Sequence, residues 1–207
     1  MASVSKKALE MYVEKVGGYT RPKLDLEQYV TDSRIVAEIV WRAGLRGEVN
    51  GMRILDSGCG TGRFSAASAL LGALQVLCID IDYDAISDAL RYIKLLNIDH
   101  VVDVVVADMA RPPLARSLDT AFQNPPFGIW SGKGSDIRLL ASVVNLVKVA
   151  YSIHKAATEG YVKEFLRRMG YEVFVEFRAK ITLPHVYRHH RKPRRSVEVS
   201  VIRVYKP

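Results

Sequence analysis

Long apolar runs are absent from this chain of 207 residues, and so are the marks of a disulfide scaffold or a disordered tail. The longest runs, VVDVVVA and ALQVLCIDI, fall far short of the ~20 residues a bilayer span needs. The first residues, MASVSKKALEMYVEKV, carry charges throughout and lack an apolar centre, so they read as neither a secretory signal nor an anchor. Cysteine occurs only at Cys59 and Cys78, without metal-ligand spacing, which reads as a reduced, cytoplasmic compartment. Asparagine and glutamine are scarce beside Glu, Lys and Arg, a balance suited to a heat-adapted source. No repeat, linker or low-complexity tract interrupts the chain.

What is present is an ordinary globular composition, 49% hydrophobic and 25% charged. One domain with a full core is expected. It divides into an N-terminal helical segment (1–50), a central core (51–170) and a C-terminal hairpin (171–207). The net charge of +8 favours a polyanionic partner, without specifying a fold.

Strand and helix signals alternate through the centre. EQYVTDSRIVAEIVWRAG (27–44) has helical apolar spacing, with Thr31 or Asp32 to cap it and Gly44 to end it. RILDSG, LQVLCIDID, VDVVVADM and DTAFQNPPF read as strands, and VAYSIHK as a fifth. GRFSAASALLGA, YDAISDALRYIKLLNI, SDIRLLASVVNLVKVA and EGYVKEFLRRMGY read as helices. Nearly continuous apolar strands are those covered on both faces. EVFVEFRAKITL and SVEVSVIRVY instead alternate with period two and no helix between them. The predicted architecture is a Rossmann-like α/β fold: a mostly parallel seven-stranded sheet, helices on both faces, and a C-terminal antiparallel hairpin.

LDSGCGTGRF follows the first strand and opens a helix. Its spacing is Asp56-x-Gly58-x-Gly60-x-Gly62. The third glycine of a G-x-G-x-x-G dinucleotide motif is missing: Arg63 or Ser65 stands there. The D-x-G-x-G-x-G form resembles the first motif of class I S-adenosylmethionine-dependent methyltransferases. Glycines would let the turn wrap the amino-acid part and sugar of that cosubstrate. Asp80 ends the second strand, where a carboxylate grips ribose hydroxyls. Asp82, two residues on, suits a helix cap. Asp108 ends the third strand, beside Met109. It suits either an adenine amino group or a loop cap.

At the end of the fourth strand stands NPPF. Two prolines donate no N–H and fix φ, so neither strand nor helix continues. The segment resembles the catalytic motif of amino-methyltransferases. An exocyclic adenine amine is a weak nucleophile because its lone pair is conjugated to the ring. The Asn124 side-chain oxygen and the Pro125 carbonyl can each accept a hydrogen bond from it and aim that lone pair at the methyl. Pro126 keeps the segment stiff, and Phe127 can stack on a base drawn from its helix.

LEQYVT, DSGCGTGRFSAASALLGA, CIDIDYDA, NPPFG, KGSDIRLL, AYSIHK and LPHVYRHHRKPRRSVEVSVIR together resemble the methyltransferase-like protein 5 family over nearly the whole chain. The resemblance implies N6 methylation of one adenosine in small-subunit ribosomal RNA, with S-adenosylmethionine as cosubstrate. It implies that Gln28 and Thr31 close over the cosubstrate. Gly58, Thr61, Arg63, Asp80, Asp108 and Met109 would line its site beside Asp56, Gly60 and Gly62, and Asn124 to Phe127 would form the catalytic segment. It also implies a small zinc-binding activator subunit, held at an exposed sheet edge, as a possible partner. The chain departs from the family at Ser57, usually apolar, at Thr61, usually small, and in lacking a Pro after Thr31.

The hairpin connection, YRHHRKPRR, interleaves cations with an aromatic ring, which suits a phosphate backbone and a splayed base. Tyr187, Arg191, Lys192, Arg194 and Arg195 are the expected RNA contacts; a solvated loop is the plainer reading. His189 and His190 lack partners for zinc, and no metal is expected. Three rivals stand beside this reading. One is a release-factor-type glutamine N-methyltransferase, one a DNA adenine methyltransferase, and one a non-enzymatic RNA-binding scaffold.

Overall fold

Residues 4–114, 117–129, 132, 134–183 and 195–207 are described by the computed structural model. The apolar runs become strands: β1 (Arg53–Ser57), β2 (Gln75–Asp80), β3 (Val102–Val106), β4 (Leu118–Gln123) and β5 (Val147–Lys155). Helices α1 (Lys6–Glu14), α2 (Ser33–Leu45), α3 (Arg63–Leu70), α4 (Tyr83–Leu95), α5 (Ser135–Val144) and α6 (Glu159–Arg168) precede or connect them. The period-two segments become β6 (Glu172–Leu183) and β7 (Arg195–Tyr205). The seven strands form one sheet in the order β3-β2-β1-β4-β5-β7-β6. The pairs among β1 to β5 are parallel, while β7 runs antiparallel to both β5 and β6. This is the expected Rossmann-like class, with the hairpin's second strand set inside the sheet.

Two apolar clusters cover the two faces. One joins Leu9, Val13, Val36, Ile39, Val40 and Phe64 to Ile54, Phe122 and Tyr151. The other joins Leu55, Ile79 and Ala121 to Ile137, Leu140, Val162 and Leu166. Alternate residues of β1 therefore serve opposite faces, as the strand period requires. Phe64, Phe122 and Tyr151 stack in sequence, with centroids 5.5 Å apart at each step. Burying three such rings contributes several kcal/mol.

Polar anchors fix the added hairpin. Glu48 accepts hydrogen bonds from Arg203 of β7 and from the Tyr151 hydroxyl of β5, and its backbone carbonyl accepts from Thr120 Oγ1. The register slips between Val175 and Phe177. Such a bulge leaves backbone groups without ladder partners; here the Glu176 carbonyl accepts from Arg42 of α2, whose guanidinium lies 5.1 Å from the Phe177 ring.

The helix read within 27–44 begins at Ser33, where Asp32, one of the two expected caps, accepts the Arg34 N–H. One boundary differs from the sequence reading. The helix expected over 135–150 ends at Val144, and β5 claims the β-branched residues from Val147 onward. The cysteines are also corrected: Cys59 and Cys78, expected as free thiols, form a disulfide. Asp56 of β1 lies beside Cys78 of β2, so the turn after β1 brings Cys59 back over its neighbour. No helix among the described residues is long and apolar enough to cross a membrane.

Candidate active site

The carboxyl ends of β1, β2 and β4 converge on a cavity of about 470 Å³. In a parallel sheet this is where ligands bind, at the point where the strand order reverses from β1 to β4. The glycine turn forms one wall. Gly58 has φ +65°, a left-handed conformation that a side chain disfavours. A Cβ there would meet nothing within 4 Å, so the turn presents bare backbone to open space. Gly60 has the opposite reason to be glycine, because a Cβ would collide with the Tyr19 hydroxyl. Gly62, at φ +88°, opens α3.

Asp80 binds the turn to the next strand. One carboxylate oxygen accepts the Gly60 N–H at 2.9 Å and the other the Asp82 N–H at 3.0 Å. Burial pushes its pKa above the ordinary carboxylate value, while these two N–H groups pull it back. Each oxygen keeps a second lone pair for a ligand hydroxyl. Asp56 lies outside the cavity lining. Its Oδ2 accepts the backbone N–H and the hydroxyl of Ser65, at 2.8 and 2.7 Å, within the first turn of α3. Burial pushes this carboxyl up to about 7 against the pull of Ser65, and the Asp80 charge adds to the rise.

Residues 17–32 pass over the cavity as a strap, and their anchors are numerous. Asp82, the N-cap of α4, accepts from Lys23 Nζ and from Gln28 Nε2. Arg63 spends its guanidinium on backbone carbonyls, donating to Val16 and, at 2.7 Å, to Thr31. The Thr20 hydroxyl and N–H both donate to Asp88. Glu27 holds the left-handed region at φ 51°, unusual for a residue with a side chain, and its Oε2 accepts the Phe127 N–H at 2.7 Å.

The NPPF segment meets the strap directly. Asn124 Nδ2 donates to Thr31 Oγ1 at 3.0 Å. This leaves Asn124 Oδ1 buried without a partner among the described residues. Pro125 and Pro126 continue the cavity wall. Phe127 is 5% exposed, with the Tyr29 ring 5.8 Å away and the Lys155 ammonium 5.9 Å from its centroid. Its ring is covered rather than open to the cavity.

Of the expected site residues, Gln28, Thr31, Gly58, Thr61, Arg63, Asp80, Asp108, Met109, Asn124, Pro125 and Pro126 line the cavity together. Asp108 also accepts the Ala110 N–H at 2.8 Å, so it caps its loop as well. Asp56, Gly60, Gly62 and Phe127 lie behind that lining. Tyr187, Arg191, Lys192 and Arg194 fall outside the described residues, as does the side chain of Arg195. The lining also includes Tyr19, Tyr29, Gln123, Ser135, Arg138 and Leu139, which sequence reasoning passed over. Gln123 adjoins the catalytic motif and was legible by that adjacency; the strap residues have no periodicity to betray them.

The cavity suits S-adenosylmethionine. Bare glycine backbone faces the space an amino-acid chain would fill, Asp80 offers acceptors for ribose hydroxyls, and Asn124 Oδ1 has no partner among the described residues. Comparison with known proteins agrees. Residues 48–193 match the methyltransferase domain family. The rRNA N(6)-adenosine-methyltransferase Mettl5 of Drosophila melanogaster is 31% identical over 205 residues, covering 97% of this chain and 96% of its own length. The METTL5 enzyme of Danio rerio is 30% identical over 203 residues, covering 95% and 97%. A crystal structure from Pyrococcus horikoshii superposes with a TM-score of 0.86 at 28% identity, covering 97% of this chain and 96% of that one. The chain belongs to the methyltransferase domain family and, within it, to the family of the METTL5-type rRNA N(6)-adenosine-methyltransferases.

Proposed function

We propose that this chain is an S-adenosylmethionine-dependent methyltransferase acting on the N6 amine of an adenosine in RNA, most specifically in small-subunit ribosomal RNA. The observation that carries this reading is Asn124 Oδ1, without a partner among the described residues and held at the cavity by the bond from its own amide nitrogen to Thr31. When bound, S-adenosylmethionine supplies a methyl group on a positively charged sulfur. Gly58 and Thr61 cradle its amino-acid part, Asp80 accepts from its ribose, and Asp108 and Met109 receive its adenine. Asn124 Oδ1 and the Pro125 carbonyl accept the two hydrogens of the target amine. So held, its lone pair would be free to take the methyl that the bound cosubstrate would supply on its sulfur, leaving S-adenosylhomocysteine, and the amine would release one proton to solvent. Positioning supplies the catalysis, and no side chain is needed as general base. In this reading the target base stacks on Phe127, whose ring lies 5.8 Å from that of Tyr29 before RNA binds.

Two further features support the finer reading. The basic connection between β6 and β7 suits a phosphate backbone. The edge strand β3, with Ile81, Tyr83 and Val106 exposed nearby, suits a zinc-binding activator subunit. The cell compartment in this reading is the cytoplasm.

The test is transfer from labelled S-adenosylmethionine to ribosomal RNA, with release factor in parallel, and nucleoside mass spectrometry of the product. N6-methyladenosine is expected, and Asn124→Ala abolishes it while cosubstrate affinity stays within a few-fold. Labelled protein without labelled RNA would replace this reading with the glutamine one.

A further inference from the structure

Behind Asn124 runs a chain of buried polar side chains that the reaction described above does not use. Gln123 of β4 sits beside Ser152 of β5 in the parallel register, and its Nε2 donates to Ser152 Oγ at 2.8 Å. His154 follows on the same face of β5, with Nε2 2.7 Å from Ser152 Oγ. His154 Nδ1 lies 3.0 Å from Oδ2 of Asp136, in the first turn of α5. Ser152 and His154 are 0% exposed and Gln123 is 1% exposed.

A carboxylate at Asp136 accepts only, so Nδ1 of His154 donates to it. Ser152 Oγ lies between His154 Nε2 and Gln123 Nε2 and accepts from the NH2 end of the Gln123 carboxamide. The Gln123 oxygen is thereby turned away from Ser152, and it has no partner among the described residues. Gln123 lines the cavity. Asn124 repeats the arrangement, with NH2 tied to a hydroxyl and an oxygen that has no partner among the described residues.

Asp136, His154 and Ser152 have the order of a hydrolytic triad, but Ser152 is sealed from solvent and its oxygen already accepts from Gln123. It cannot reach a substrate as a nucleophile. A fold alone gains little from such a chain, since buried ionic groups are replaceable by apolar ones at little or no loss of stability. What the chain achieves is the orientation of one carboxamide.

We propose that Gln123 is a second ligand-contacting carboxamide of this site, with Ser152, His154 and Asp136 as the positioning residues that keep its oxygen available to an N–H donor. The proposal rests on the methyltransferase reading. The donor is an amine: either the α-ammonium of the cosubstrate's amino-acid part or the exocyclic amine of the target base.

Gln123→Met, close in volume, and Ser152→Ala, which frees the carboxamide, test it together, with thermal unfolding as a check on folding. Affinities for S-adenosylhomocysteine and for 5′-methylthioadenosine, which lacks the amino-acid part, are measured by calorimetry. Single-turnover methylation of ribosomal RNA is measured at saturating cosubstrate. An ammonium donor predicts at least a tenfold loss of S-adenosylhomocysteine affinity with methylthioadenosine unchanged, in both variants. An amine donor predicts unchanged affinities and at least a tenfold slower turnover. All values within twofold of the parent protein overturn the proposal, as does an equal loss for both nucleosides, which reports a damaged cavity. Loss in Gln123→Met alone overturns the role of the relay. If the parent protein binds S-adenosylhomocysteine but methylates no RNA, the RNA reading has failed separately, and the nucleoside affinities decide.

Discussion

Asp56 shows how far one buried side chain can move the pH dependence of the whole chain. Its folded carboxyl titrates at about 7, whereas an unfolded aspartate titrates near ~3.9. Between those values the folded state keeps a proton that the unfolded state has released. Stability from this group is therefore full below about pH 4, falls as pH rises to about 7, and stays at its lower level beyond. The shift corresponds to at most about 4 kcal/mol. Asp56→Asn keeps an acceptor for the Ser65 N–H and removes the titration. The difference in unfolding free energy between pH 4.5 and pH 8, read from urea melts, is expected to shrink in the variant. An unchanged difference would show that Asp56 does not hold its proton. The acids at strand ends, Asp80 and Asp108, were legible because apolar runs mark where strands stop. The contacts of Glu27 and Thr31 with the catalytic segment were not: their partners Phe127 and Asn124 lie 100 and 93 residues away, and no local pattern encodes such a distance.

At the scale of the element, the turn between β1 and α3 is held twice, by Asp80 through the Gly60 N–H and by the Cys59–Cys78 disulfide. The bridge closes a loop of sequence separation 19. Constraining a loop of that size in the unfolded chain contributes about 3 kcal/mol. Cys78→Ala is expected to lower the unfolding free energy by about that amount, and dithiothreitol is expected to lower that of the parent protein equally. Equal stability with and without reductant would mean the bridge contributes nothing. Nothing in the sequence announced this bond, because Cys59 and Cys78 become neighbours only once β1 and β2 pair. The same limit explains the strap: LEQYVT was placed ahead of the helix that Asp32 caps, but its bonds to Asp82, Arg63 and Asn124 join residues far apart in the chain. The strands and most helices were read well because their apolar periods are intrinsic to them.

Across the whole molecule, charge and topology point the same way. The net charge of +8 is concentrated in part on the connection from β6 to β7. Neutralising Arg191, Lys192, Arg194 and Arg195 together is expected to weaken RNA binding and to flatten its salt dependence by a slope of about 3 to 4, the number of phosphate contacts removed. An unaltered slope in filter-binding titrations would make that segment a bystander. The strap has a larger consequence. Gln28 and Thr31 face the cosubstrate cavity, while Glu27 and Tyr29 hold the Phe127 end, and all four belong to one short run of chain. Two ligands that lean on the same run of chain are expected to influence each other's binding. Whatever factor bound RNA imposes on the affinity for S-adenosylhomocysteine, S-adenosylhomocysteine must impose the same factor on RNA, because the free-energy cycle closes. Paired titrations should return two equal factors different from one, and Glu27→Gln should move both in step. The order in which product and spent donor leave would then be governed by a loop that touches neither the transferred methyl nor the sulfur.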